Sequence, residues 1–474
     1  MHQKTIQLVL DLEARGEAPS DQALGSEPGS GTAELPTSAE PAPQKSERTV
    51  SSVSGLMEAI TDSGNMRRAL KRVRSNKGSP GVDGMTVEDL SPHLKQAWPQ
   101  ILALLLEGRY FPQPIRRVEI PKSDGGMRQL GIPTALDRLI QQAILQVLTP
   151  IFDPTFSDSS YGFRPGKSAH QALEAARQHV ATGYRWVVDM DLEKFFDRVN
   201  HDLLIGRLAK MLTDERLLTL IRRYLEAGLL LDGIVMPRHE GTPQGGPLSP
   251  LLANILLDDL DKILELRGLR FCRYADDAHI YVRSRRAGER VMASLIGFLE
   301  RKLHLKVNME KSAVARPRQR KFLGQRVLSG GANTYLGVHP KSVKRLEDKV
   351  RQITGRNRGV KFDLVLSELR SAAMGWVNYH QHTRCANALK RLDEWIRRRL
   401  RCYLWKQWKR PKARARNLHK LGADRWLAYG SAYNGHGAWA IAGSPGMTTT
   451  ITNQFLKDKG FESLYERYKS LASA

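Results

Sequence analysis

An α+β body followed by an all-helical unit is the architecture that this 474-residue sequence predicts. Three observations lead there. Between about residues 50 and 330, apolar runs of strand and helix type alternate, punctuated at Ser79-Pro80-Gly81, Asp124-Gly125-Gly126 and Gly245-Gly246-Pro247. From about residue 338 the apolar spacing is helical throughout, as at Val343, Leu346, Val350 and Ile353, and again at Leu389, Leu392, Ile396, Leu400 and Tyr403. A hydrophobic content of 41% is enough to give both parts a core.

The opening segment stands apart. Residues 1–48 hold eight acidic and four basic residues and are rich in Pro, Gly, Ser, Ala and Glu beyond residue 15, so residues 1–49 are expected to be disordered. Without that acidic segment the remainder carries +29 rather than +25, and the whole chain has a pI near 10.1. Such a balance is the footprint of a protein that neutralises phosphates. No apolar run approaches the roughly 20 residues of a spanning helix, which argues against a membrane protein. Cys272, Cys385 and Cys402 are widely separated, with no Cys-x-x-Cys pair, so neither a disulfide framework nor a zinc site is suggested. Asp11, Glu13 and Glu17 are wrong for a transit peptide, and a bacterial-type cytoplasm is the expected compartment.

Within the body, Trp186–Leu192 reads as a strand in which Asp189 and Asp191 share a face, and only one of them need reach a site. Phe195 and Phe196 follow, and one of them is expected in the core. Arg270–Arg273 and His279–Val282 read as the arms of a hairpin with Tyr274-Ala275-Asp276-Asp277 at its tip. Adjacent ionised carboxylates repel by about 4 kcal/mol at an effective dielectric near 20, so a site that keeps both charged needs a cation. An Asp-Asp pair is also an ordinary choice for a solvated turn. After Pro247, Leu252, Ile255, Leu256, Leu260 and Ile263 have helical spacing.

In the helical unit, thirteen basic residues between Lys390 and Lys420 face only Asp393 and Glu394, with Trp395, Trp405 and Trp408 interleaved. A solvated face with core tryptophans would read the same way. Basic residues this dense on a helix with an apolar stripe favour a phosphate backbone, and Arg397, Arg398, Arg399, Arg401, Lys406, Lys409 and Arg410 are the candidate RNA contacts.

Several motifs occur in a fixed order: Asp191-x₄-Phe196, Gly241-Thr242-Pro243-Gln244-Gly245-Gly246-Pro247-Leu248-Ser249-Pro250, and Tyr274-Ala275-Asp276-Asp277. This series is similar to the core motifs of reverse transcriptases, and in detail it resembles a group II intron reverse transcriptase/maturase of bacterial type. Upstream, Ile120-Pro121-Lys122, Arg128 to Pro133 and Ser160 to Gly166 resemble the fingers; downstream, Asn308 to Ser312 and Phe322-Leu323-Gly324 resemble later palm motifs. Gly375-Trp376-Val377-Asn378-Tyr379 is similar to the maturase signature of the thumb.

The resemblance implies a right-hand polymerase. Fingers and palm would span 50–330, a helical thumb or maturase domain 331–425, and a short nucleic-acid-binding tail 426–474, with no endonuclease domain. Asp191, Asp276 and Asp277 would hold two Mg²⁺ ions, Asp191 and Asp276 as the main ligands, with Asp189 structural. Lys122 and Arg128 would bind the triphosphate, Phe196 would lie beneath the sugar and exclude a 2′-hydroxyl, and Gln244, between Pro243 and two glycines, would sit in the nucleotide pocket. Lys311 would either face the leaving pyrophosphate or simply snorkel from an apolar surface. Phe322, Leu323 and Gly324 would seat the primer terminus. The implied partners are intron RNA, as template and splicing substrate, a DNA primer or target, and dNTPs. The expected function is RNA-directed DNA synthesis with assistance to intron splicing and mobility. A free-standing reverse transcriptase of repair or defence, or a splicing cofactor with dormant chemistry, remain alternatives, and the oligomeric state is left open.

Overall fold

The computed structural model describes residues 55–473 except 122–125, 232–233, 239, 244 and 331–332. The expected disorder of residues 1–49 therefore falls outside the described residues. Ten strands form two four-stranded sheets and a hairpin among the described residues, and helices enclose them.

The first sheet has the order β2-β1-β4-β5, in which β1 (Ile115–Pro121) and β2 (Met127–Ile132) pair antiparallel and β4 (Leu229–Leu231) joins β1 in parallel before turning back through β5 (Ile234–Met236). Around it lie helices whose starts are chemically marked. Asp62 accepts from the Gly64 and Asn65 amides at the head of Ser63–Ser75, and Thr134 accepts from the Asp137 amide at the head of Ala135–Phe152. Together these are the fingers.

The palm is the second sheet, of order β6-β7-β3-β8 and antiparallel throughout. Its strands are β3 (Trp186–Met190), β6 (Arg270–Tyr274), β7 (Asp277–Val282) and β8 (Ala313–Ala315). They are covered on both faces, as the two-residue period allows. Val188, Met190, Phe271 and Ile280 pack with Leu252, Leu256 and Leu260 of helix Ser249–Leu266 and with Leu295 and Leu299 of Arg285–Lys302. Val187, Cys272 and Tyr281 pack instead with Ala172, Leu173 and Ala176 of helix Ala169–Ala181, whose start is fixed by a Ser168/Gln171 capping box.

Two domain boundaries need correction. The hairpin of β9 (Gln325–Gly330) and β10 (Asn333–Val338) straddles the expected boundary at 330, because six cross-strand pairs hold it together. Its Val327 and Leu336 join the palm cluster with Phe322. Nor is 426–474 a separate tail. Ala428, Ala432, Ile441, Met447, Ile451, Leu456, Phe461 and Leu464 share one core with Leu389, Ile396, Leu400 and Trp405 of helix Ala386–Gln407. Buried Asp393 clamps the last helix by accepting from Ser463 Oγ at 2.6 Å, the Leu464 amide at 2.8 Å and the Tyr465 amide at 3.0 Å. Small residues obscure this periodicity in the sequence.

Candidate active site

The hairpin expected between residues 270 and 282 is present, with Tyr274 opposite Asp277 and only Ala275 and Asp276 between the strands. Ala275 has φ +56°, a left-handed conformation that costs an L-residue about 1 kcal/mol. It is held there from two sides. Arg273, fully buried, donates to the Ala275 carbonyl at 2.9 Å and to Asn254 Oδ1 at 2.9 Å, and forms a two-pronged ion pair with Asp261 at 2.7 and 2.5 Å. Asn254 in turn donates to the Gly162 carbonyl at 2.8 Å, and a Cβ on Gly162 would lie 2.3 Å from the Ala275 nitrogen. The segment Ser159–Gly162 runs beside β6, with the Tyr161 amide bonded to the Arg273 carbonyl and the Arg273 amide to the Ser159 carbonyl.

Asp191 stands one residue beyond the end of β3 and faces this turn. Its backbone is held by Ser312 Oγ, which accepts from the Asp191 amide at 3.0 Å, and by the Asn308 amide, which donates to the Asp191 carbonyl at 2.8 Å. Asp191, Asp276 and Asp277 line one open cavity of about 500 Å³ with Asp189, Glu310, Lys311, Arg320, Lys321 and His339. All three sequence-predicted carboxylates therefore meet.

Their electrostatics fit a cation. Partial burial raises the Asp191 carboxyl above the usual range, and Asp276 and Asp189 add to the rise, while Lys311 and Arg320 oppose it. Asp277 is pushed up to about 6 by desolvation, with Asp189 and Asp276 adding to the rise against the pull of His279. Burial and mutual repulsion thus both disfavour the charged carboxylates, and a bound cation would offset both. Asp189, expected to be structural, pairs with Arg320 Nε at 2.5 Å and lies 3.4 Å from His279 Nε2. It is nonetheless close: ligand atoms of Asp189, Asp277 and His279 lie within 4.8 Å of one another, the group of three compact enough to share an ion among the described residues. His279 was not singled out by sequence, although it alternates with Asp277 on β7.

The loop expected to border the nucleotide precedes helix Ser249–Leu266. Gly241 has φ +91°, and a Cβ there would lie 2.9 Å from the Phe196 and Asp197 carbonyl oxygens. The Thr242 amide donates to the Phe196 carbonyl at 2.6 Å, and Ser249 Oγ donates to the Pro243 carbonyl at 2.7 Å. A Cβ on Gly245 would lie 2.5 Å from the Gly131 carbonyl oxygen, so no larger residue fits there, and one on Gly246 would press on the Gln141 side chain. Phe195 is buried in the core, and Phe196 sits half-buried above it, edge-on at 5.2 Å. Lys311 lines the cavity. Lys122 and Gln244 lie outside the described residues, as does the Arg128 side chain; the Arg128 backbone pairs with Ile120.

Phe322-Leu323-Gly324 forms a tight turn with φ +48° at Leu323 and +83° at Gly324, and its Phe322 ring is buried, stacked on His279 at 4.4 Å. The thumb grips this turn. Tyr379 Oη donates to the Leu323 carbonyl at 2.7 Å and Ser342 Oγ to the Gly324 carbonyl at 2.7 Å, while a His170 ring nitrogen lies 2.8 Å from the Tyr379 carbonyl.

The sequence pattern of reverse transcriptase (RNA-dependent DNA polymerase) matches residues 120–327, and that of the group II intron maturase-specific domain matches 343–422. The chain is 34% identical over 299 residues to Protein YkfC of Escherichia coli (strain K12), covering 55% of this chain and 78% of that protein. This chain belongs to the group II intron reverse transcriptase/maturase family. It is also 39% identical over 206 residues to the group II intron-encoded protein LtrA of Lactococcus lactis subsp. cremoris, a match spanning 43% of this chain and 34% of LtrA. A chain of a partial Cas6-RT-Cas1--Cas2 complex aligns at 28% identity over 52% of this chain and 43% of its own, with a TM-score of 0.35. The reverse transcriptase match and the likeness to LtrA make this chain an RNA-directed DNA polymerase.

The basic run of the reverse transcriptase is divided. Lys406, Lys409 and Arg410 are exposed. Arg398 lies over the Trp439 ring and donates to the Trp439 carbonyl, and Arg399 donates to Thr354 Oγ1 at 2.6 Å beside Trp395. Arg397 lies 6.0 Å from the Phe461 ring. Arg401 has to be withdrawn as an RNA contact: it is only 9% exposed and donates to the Ile451 carbonyl at 2.8 Å, tying the C-terminal helices to the thumb. Among the described residues no helix is long and apolar enough to cross a membrane.

Proposed function

We propose that the chain copies RNA into DNA at the cavity bounded by Asp191, Asp276 and Asp277, and that its helical unit holds the intron RNA that serves as template and splicing substrate. The convergence of three carboxylates from distant segments on one charged cavity carries this reading. Asp191 and Asp276 are the main Mg²⁺ ligands and Asp277 completes the site; bound Mg²⁺ supplies a Lewis acid that activates the primer 3′-hydroxyl and offsets charge on the departing pyrophosphate. Lys311 faces the phosphates, and Lys122 and Arg128 bind the triphosphate. Phe196 and Gln244 shape the pocket for a dNTP, and Phe322, Leu323 and Gly324 seat the primer. Lys406, Lys409 and Arg410 meet RNA phosphates, a recognition by shape and charge that needs no catalytic group. A bacterial cytoplasm is the compartment assigned.

Primer extension on an RNA template with Mg²⁺, comparing dNTPs with rNTPs, tests the reading. Incorporation of dNTPs by the unmodified chain, and none by Asp276→Ala, is the expected result; extension by the variant would remove Asp276 from the site.

A further inference from the structure

Trp426, Tyr429 and Tyr433 follow one another at helical spacing on Arg425–Ala432 and its C-cap, so all three share a face. They are 85%, 48% and 56% exposed. One exposed aromatic residue needs no explanation, but a row of three marks a surface that meets something. The opposite face is fixed, with Ala428, Ser431 and Ala432 buried. The Tyr429 and Tyr433 rings lie 3° from parallel with centroids 6.1 Å apart, and the Arg425 guanidinium is 5.9 Å from the Tyr429 ring.

The surroundings say what covers this face. Helix Pro411–Lys420 packs on Arg425–Ala432, contains no acidic residue and exposes Lys412, Arg416 and Lys420. A second copy of the chain would bring like charge against like charge, since each carries +25. Flat aromatic faces bordered by cations suit unpaired bases stacked on the rings with their phosphates on the basic side chains. The basic helix Pro411–Lys420 beside it lies within the maturase-specific match at residues 343–422, which favours RNA as the strand.

We propose that helix Arg425–Ala432 is a stacking platform for an unpaired stretch of RNA, with bases on Trp426, Tyr429 and Tyr433 and the backbone along Arg416, Lys420 and Arg425. This rests on the reading that the helical unit takes RNA. The platform discriminates strand from duplex, because paired bases present no free face.

Fluorescence anisotropy of the full chain with a short oligouridine, and with duplex RNA of the same length, tests it. The triple variant Trp426→Leu/Tyr429→Leu/Tyr433→Leu should bind oligouridine about tenfold more weakly or worse, with an unchanged dependence on salt and an unchanged affinity for duplex. Trp426→Phe alone, which keeps a ring, should stay within about twofold of the parent. The exposed positions should leave the thermal melting curve unmoved. Undiminished oligouridine binding by the triple variant, an equal loss on duplex, a loss confined to oligodeoxythymidine, or dissociation of a chain dimer by the same substitutions would each overturn the platform. If the unmodified chain binds no RNA at all, the functional reading fails instead.

Discussion

Arg273 carries its charge with no exposed surface, and its one fork serves Asp261, Asn254 and the carbonyl of Ala275. Removing a buried charge leaves its partner unpaired, so Arg273→Met should cost about 3–5 kcal/mol in urea unfolding. Because the same guanidinium sets the turn that carries Asp276, the variant should also need more Mg²⁺ for half-maximal extension, a shift that lost stability alone would not produce. The sequence held a faint sign of this: Asp261 interrupts an apolar helical stripe between Leu257 and Leu264, and buried acids require a partner. His380 gives the pH dependence. Burial, with His170 nearby, lowers its pKa to about 4 from an ordinary 6.5. A depressed imidazole stabilises the fold fully above pH 6.5, and that contribution is lost as pH falls toward 4. Melting at pH 5 should therefore be depressed relative to pH 7.5, by up to about 3 kcal/mol in the limit of full protonation, and His380→Phe should remove that share of the acid sensitivity. Equal acid sensitivity of the variant would assign the effect to other groups.

At the scale of elements, the palm hairpin, the strand before Asp191 and the long helices are all legible, the hairpin from two short runs flanking a turn and the others from longer apolar runs. Which elements touch was not legible. Nothing in the spacing of Tyr379 says that its hydroxyl reaches the Leu323 carbonyl, 56 residues away, and ties the thumb to the turn proposed to seat the primer. Tyr379→Phe removes that bond, worth about 1 kcal/mol. The expected outcome is faster release of primer–template in a single-turnover chase with an unchanged KM for dNTP; an unaltered release rate would make the contact merely structural. Residues 426–474 read as a tail in the sequence because alanine, glycine and threonine build short helices without the strong apolar stripe that announces long ones.

For the molecule as a whole, the surplus of positive charge was plain from composition, whereas its division between structure and RNA was not. Arg401 and Lys406 lie on one helix, yet one bonds a buried carbonyl and the other is exposed. Lys406→Gln should lower the slope of log affinity against log salt by about one. Arg401→Gln should leave the slope alone and lower the melting temperature, and the reverse pattern would return Arg401 to the RNA surface. The central claim is that Asp191, Asp276 and Asp277, brought from separate strand ends to one cavity, perform DNA synthesis while the helical unit holds RNA independently of them. Asp276→Ala tests both halves in one protein. Primer extension should vanish while affinity for the RNA template, measured by filter binding at the same salt, stays within about twofold of the parent, since a carboxylate neutralises no phosphate. Persistent extension by that variant would contradict the account.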